Sequence, residues 1–249
     1  MNKIIFCIIC ALITFGTMAQ ESKTTTLGSI SPIKNSPTVE SGAKTTTNIT
    51  KSHGLGESLN VTASIVCDNG TPCYLVKDTS TKVLNAVNHG VTHKQIMSLI
   101  KTVVTPQFDF TLMTRYALGN NWKLATPEQQ KQLIETFKQL LIFTYSTALS
   151  KFNGATIIIN NETINANKAF VVSLVSLPNS QNNTQPIKVE YDLAKTGENG
   201  TWKAYDIKIE NASLVTTYRN QFNDIIVSSN INGLIKQLKA KVTTLQSKN

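Results

Sequence analysis

The apolar residues of this chain change period twice, from about 3.6 residues to 2 and back again, and few folds accommodate that order of patterns. Leu75, Val76, Thr79, Val83, Leu84 and Val87 recur at helical spacing. Thr92 and Gln95 form a capping box for a second helix carrying Ile96, Leu99, Ile100 and Val103, which Pro106 should end. Asp109 is placed to cap a short third helix through Phe110, Met113 and Ala117, closed by Gly119. Thr126-Pro127-Glu128-Gln129 then combines an N-cap, a proline at the first helical position and another capping box. It opens a long helix bearing Leu133, Phe137, Leu140, Leu141, Tyr145, Ala148 and Phe152.

From residue 155 the period is 2. Residues 155–160, 168–177, 187–194 and 201–210 are β-rich runs separated by polar turns at Asn160-Asn161, Pro178 to Pro186 and Glu198-Asn199-Gly200. The Asn-Gly pair predicts a hairpin between the last two runs. Ile187, Val189, Tyr191 and Leu193 share one face, as do Tyr205, Ile207 and Ile209. Helical spacing then returns through Leu214, Val215, Tyr218, Phe222 and Ile225, and again through Ile231, Leu234, Ile235, Leu238, Val242 and Leu245. Helices, four strands, then helices predict an α+β domain with helices packed on one face of a curved antiparallel sheet.

The N-terminus reads differently. Lys3, an apolar run from Ile4 to Phe15 and the small residues of Gly16-Thr17-Met18-Ala19 have the layout of a cleaved export signal over residues 1–19. Residues 20–66 hold nine Thr and eight Ser with no aromatic residue, too little apolar surface to offset the entropy of ordering, and are expected to form a disordered tether. The folded domain is therefore expected over 67–245. In an oxidising compartment Cys67 and Cys73 are left as an even pair, expected to form a disulfide that clips the entry to the first helix. The formal charge of +9 falls mostly within residues 67–249, and no acid follows Asp224 while Lys236, Lys239, Lys241 and Lys248 do. For an exported protein this favours anionic lipid headgroups or acidic protein faces over nucleic acid, against the alternative of a solvated lysine-rich helix face.

Short motifs in fixed order carry a resemblance. Pro106 with Asp109-Phe110, Leu118-Gly119, Trp122, Ala125 to Gln129, Phe137, Leu141 and Tyr145 follow the helical half of the MlaC family, the toluene-tolerance auxiliary family. Trp202, Tyr205-Asp206, Ile209-Glu210, Ser213-Leu214-Val215, Tyr218-Arg219, Gln221-Phe222, Leu234-Ile235 and Leu238 follow its second half, so the likeness runs over roughly residues 73–242. Asn211 departs from it, standing where the family usually has glycine. The resemblance implies an NTF2-like, or cystatin-like, fold enclosing a deep apolar pocket for phospholipid acyl chains. It implies a periplasmic carrier without cofactor, shuttling lipid between an outer-membrane lipoprotein-porin complex and an inner-membrane ABC transporter bearing MCE domains, in maintenance of outer-membrane lipid asymmetry.

For such a pocket the apolar sheet face offers Val172, Leu174, Tyr191, Leu193, Tyr205, Ile207 and Ile209, with Leu141 and Tyr145 from the long helix. The alternation does not decide between Val172 and Val171. A volume toward the upper end of ~300 to 1,000 Å³ is expected for two tails. Arg219 is a candidate for headgroup or partner contact, or for a structural salt bridge to Asp206 or Glu210. Two rivals stand beside the carrier. An isomerase or dehydratase, as other NTF2-like pockets host, needs a tuned acid or base, and His53, His89, His93 and Asp206 make a thin set of candidates. His89 and His93 flank Gly90 with no third ligand in view, so no metal site is expected. A secreted protein-interaction module would have a filled core.

Overall fold

The computed structural model describes residues 64–178, 185–197 and 200–247. The expected export signal and nearly all of the expected tether lie outside these residues, as do Glu198 and Asn199 of the hairpin turn. Five α-helices are described: α1 (Pro72–Asn88), α2 (His93–Leu99), α3 (Phe110–Leu118), α4 (Pro127–Leu149) and α5 (Leu214–Gln246). Between α4 and α5 run β1 (Thr156–Asn165), β2 (Lys168–Ser176), β3 (Ile187–Thr196), β4 (Thr201–Ile209) and β5 (Ala212–Ser213), an antiparallel sheet in sequential order.

The helix starts follow local chemistry. Thr71 caps α1, and Thr92 and Gln95 exchange both capping-box bonds at α2. The Asp109 carboxylate accepts from Leu112 N at 2.8 Å. At α4, Gln129 N donates to Thr126 Oγ1 at 3.2 Å and Thr126 N to Gln129 Oε1 at 2.9 Å. Each such cap stabilises its helix by about 1 kcal/mol.

Pro106 does not stop the second helix cleanly. In a regular helix its ring would strike the carbonyl four residues earlier. The chain instead widens into a π turn over Ile100–Val104 and tightens into a 3-10 turn over Thr105–Gln107. The two terminal helices run as one element broken at Asn230 (φ 57°), whose Oδ1 accepts from Asn232 N and Gly233 N and so caps the second limb.

The sheet departs from a simple alternation in three places. Asn160-Asn161 is not a turn: β1 continues to Asn165, and Asn160 is the extra residue of a bulge between the Ile159–Ser173 and Asn161–Val172 pairs. The chain reverses at 166–167 instead, with Ala166 at φ 51°. A second bulge leaves Tyr205 without a partner, because Asp192 pairs with Asp206 while Leu193 pairs with Ala204. The fifth strand, not expected from the sequence, is a two-residue return made by Glu210 and Asn211, both at positive φ (49° and 67°). Two successive residues of that hand make the tight hairpin whose twist matches the strands, and Asn211 tolerates the conformation.

Packing divides the domain into two regions. On one side α3, α4 and α5 form a filled core, with Phe137 wholly buried and its ring 4.9 Å from Tyr218 and 5.1 Å from Phe222. On the other, α1 covers the inner face of the sheet, while Ile96 and Ile100 of the α2 segment pack on Ile142 of α4. On that inner face Cys73 and Val76 pack with Ile159, Ala169, Val171, Leu193 and Ala204. Cys67 and Cys73, Cα atoms 5.5 Å apart, are joined as a disulfide. Glu162 accepts from Cys73 N at 2.7 Å, and Ile65 N donates to Ile159 O at 2.9 Å, so residues on both sides of Cys67 are tied to β1. The outer face mixes ion pairs, Lys208 Nζ 2.9 Å from Asp192 and Lys188 paired with Glu190, with the apolar Phe170, Val172 and Leu174 of β2.

Candidate functional site

Between the helices and the inner sheet face the domain is hollow. The hollow has a volume of about 300 Å³ and is walled on the sheet side by Ile157, Val175, Val189, Tyr191, Ile207 and Ile209. Thr79, Ser80, Val83 and Leu84 of α1 and Leu141, Ile142, Tyr145, Ala148 and Leu149 of α4 form the opposite wall. The π turn contributes Ile100 and Val104, and the start of α3 contributes Phe110 and Met113. Among the described residues the lining contains no Asp, Glu, His, Lys or Arg. Its titratable groups are two phenols: burial raises Tyr145 well above its ordinary value, with Tyr218 alongside adding to the shift, and burial also raises Tyr191 against the opposing hydroxyls of Ser173 and Ser80.

Of the positions expected to face the pocket, Leu141, Tyr145, Tyr191, Ile207 and Ile209 line the hollow. Val172 and Leu174 do not. On β2 the inward set is Ala169, Val171, Ser173 and Val175, so the strand takes the opposite phase. Both of its faces carry apolar residues, and a one-residue difference in phase exchanges them. Leu193 has the expected face but lies past the end of the hollow, fully buried beside Val171 and Ala204. Tyr205 is displaced by its bulge, and its ring packs 5.3 Å from Tyr116 of α3.

Arg219 lies outside the hollow. Its Nε donates to the Tyr116 carbonyl at 2.8 Å near the C-terminus of α3, where the helix dipole favours a cation. Among the described residues it pairs with no acid. Asp206 is buried, accepting from Val215 N at 3.0 Å and from the Ser213 hydroxyl, and Glu210 accepts from Lys188 N at 2.7 Å. Asp206 thus joins β4 to the start of α5. His89 Nδ1 sits 2.6 Å from Asn85 O, and the described residues contain no group of three His, Cys, Asp or Glu arranged to hold a metal.

The α1 wall and the π turn were not anticipated as lining. The α1 signal was present in the spacing of Thr79, Val83 and Leu84, whose face could only be assigned once the sheet lay beneath it.

This arrangement can shelter hydrocarbon. The family model for "MlaC protein" matches residues 77–240, a span running from α1 to the last limb of α5. The chain belongs to the MlaC family. Among related proteins, this MlaC-family chain is 24% identical over 160 residues to the toluene tolerance protein ttg2D of Pseudomonas putida, spanning 62% of this chain and 72% of that protein. It is also similar to a solved phospholipid-binding protein from Ralstonia solanacearum, determined in complex with a phospholipid. That likeness has 32% identity and a TM-score of 0.60, covering 69% of this chain and 97% of the other.

Proposed function

We propose that this protein is a phospholipid carrier that works in the periplasm, moving lipid between the outer and inner membranes and performing no chemistry on it. The observation that carries the reading is the hollow itself, an uncharged apolar space roofed by helices on a sheet. A diacyl lipid exposes about thirty methylenes, and at ~0.8 kcal/mol each its unassisted passage through water meets a barrier on the order of 20 kcal/mol. Burying the tails against Val189, Tyr191, Ile207 and Ile209 replaces the membrane's surroundings and removes most of that cost.

The solved relative with a bound phospholipid supports this reading, and so does family membership. Its partners would be the inner-membrane ABC transporter with MCE domains and the outer-membrane lipoprotein-porin complex. Net direction would come from partners of different lipid affinity or from an ATP-driven pump. The volume of about 300 Å³ is at the low end of the ligand range, below the expectation from sequence. Two tails therefore require the hollow to widen on loading.

Vesicle-to-vesicle transfer of a fluorescent phospholipid tests the proposal. The wild-type chain should accelerate transfer, and Ala148→Trp, which places an indole in the hollow, should abolish acceleration while the far-ultraviolet circular dichroism stays unchanged. Equal transfer by a folded Ala148→Trp protein would remove the hollow from the mechanism.

A further inference from the structure

A second depression of about 390 Å³ adjoins the hollow, and the two share Thr105 and Ile142 as common wall. Its chemistry is different. Lys101 enters from the π turn, and Lys138 and Gln139 from α4. We propose, building on the carrier reading, that this lysine-lined bowl seats the phosphate group of the lipid whose chains occupy the hollow.

The shared wall supplies the geometry. A molecule with chains in one chamber and a head in the other would cross at Thr105 and Ile142. The Lys138 ammonium lies 6.0 Å from the centre of the Phe110 ring, and Phe110 lines the hollow, so the cation stands at the rim.

Charge supplies the class of ligand. Among the described residues the only carboxylate in the bowl is that of Glu135, 3.8 Å from Lys138 Nζ and accepting from Gln139 Nε2 at 3.0 Å. One carboxylate against two ammoniums leaves a positive site. Among the described residues Lys101 forms no ion pair, and the Lys138 pair is solvent-accessible and so exchanges readily for a better acceptor. The Thr105 hydroxyl is an independent pointer. It is buried without a hydrogen-bond partner, and a buried hydroxyl in that condition calls for an acceptor. A phosphate oxygen is a strong one, and two lysines with a hydroxyl make charge-assisted bonds to it.

The test loads the full chain from vesicles of phosphatidylglycerol or, separately, from vesicles doped with diacylglycerol of the same chains, and measures lipid per protein after separation. A third arm titrates inorganic phosphate alone. The wild type should take up phosphatidylglycerol about tenfold better than diacylglycerol, equivalent to ~1.4 kcal/mol. The double variant Lys101→Gln/Lys138→Gln should lose that preference and keep its diacylglycerol loading, with Thr105→Val intermediate. Retained preference in the double variant, or equal uptake of both lipids by the wild type, overturns the seat while leaving the hollow's role intact. Inorganic phosphate binding as tightly as phosphatidylglycerol overturns the lipid-borne source and assigns the bowl to free phosphate. Failure to take up either lipid overturns the carrier reading, and the seat with it.

Discussion

Replacing Ile159 and Ile207 by alanine, one at a time, distinguishes a packed wall from one that borders empty space. Both residues point to the inner face of the same sheet. Ile159 is 1% exposed and enclosed by Cys73, Val76, Ala169, Val171 and Leu193, whereas Ile207 lines the hollow. Truncation removes three carbon groups, worth roughly 2.4 kcal/mol of transfer free energy at full burial. At Ile159 the vacated volume is new. If each lost group leaves about the ~30 Å³ that a water molecule occupies, the void adds roughly 2 kcal/mol at ~24 cal/mol per Å³.

Ile159→Ala should therefore cost about 4 kcal/mol. At Ile207 part of the side chain already lacks partner atoms, so removing it enlarges an existing space and forfeits fewer contacts, for a loss of about 1 to 2 kcal/mol. Urea unfolding followed by circular dichroism gives both values, provided the slope with denaturant is unchanged. Equal losses for the two variants would refute the reasoning, since they would mean that Ile207 is packed on all sides.

The polar clamp and the tyrosines give further tests. Asp206→Ala leaves Val215 N and the Ser213 hydroxyl without their buried acceptor and should lower stability by roughly 2 to 4 kcal/mol, read as a fall in melting temperature; an unchanged melting temperature would contradict the clamp. Burial raises Tyr145, Tyr191, Tyr205 and Tyr218 above the ordinary phenol value, Tyr205 to about 12. The folded chain then holds protons that an unfolded chain releases above about pH 10, so stability should fall as pH rises past that point. Absorbance at alkaline pH should show part of the tyrosine ionising only with unfolding, and full ionisation in the folded state would contradict the burial.

The legible parts of this fold were those decided within a few residues. Thr92-Gln95 and Thr126-Gln129 announce helix starts because each box closes its hydrogen bonds locally, and Asp109 does the same for α3. Strand phase was harder. Phe170, Val172 and Leu174 are as apolar as the inward Ala169, Val171 and Val175, so alternation alone could not say which set faces the helices. The bulges at Asn160 and Tyr205 each shift parity by one, and what fixes them is the neighbouring strand, not the strand that bulges. That is why alternation puts Tyr205 on the face of Ile207 and yet its ring packs on Tyr116. The α2 segment illustrates the same limit. Pro106 marks a disturbance, but widening to a π turn that carries Lys101 to the bowl and Ile100 to the hollow depends on tertiary surroundings.

The central claim concerns what fills the space above Tyr191 and Ile209. Native mass spectrometry of the protein, purified without detergent and then exposed to phospholipid vesicles, measures it directly. The predicted spectrum shows one phospholipid mass retained per chain, dissociating together with loss of the fold. A spectrum of bare chain after such exposure, with the fold intact, would contradict the account.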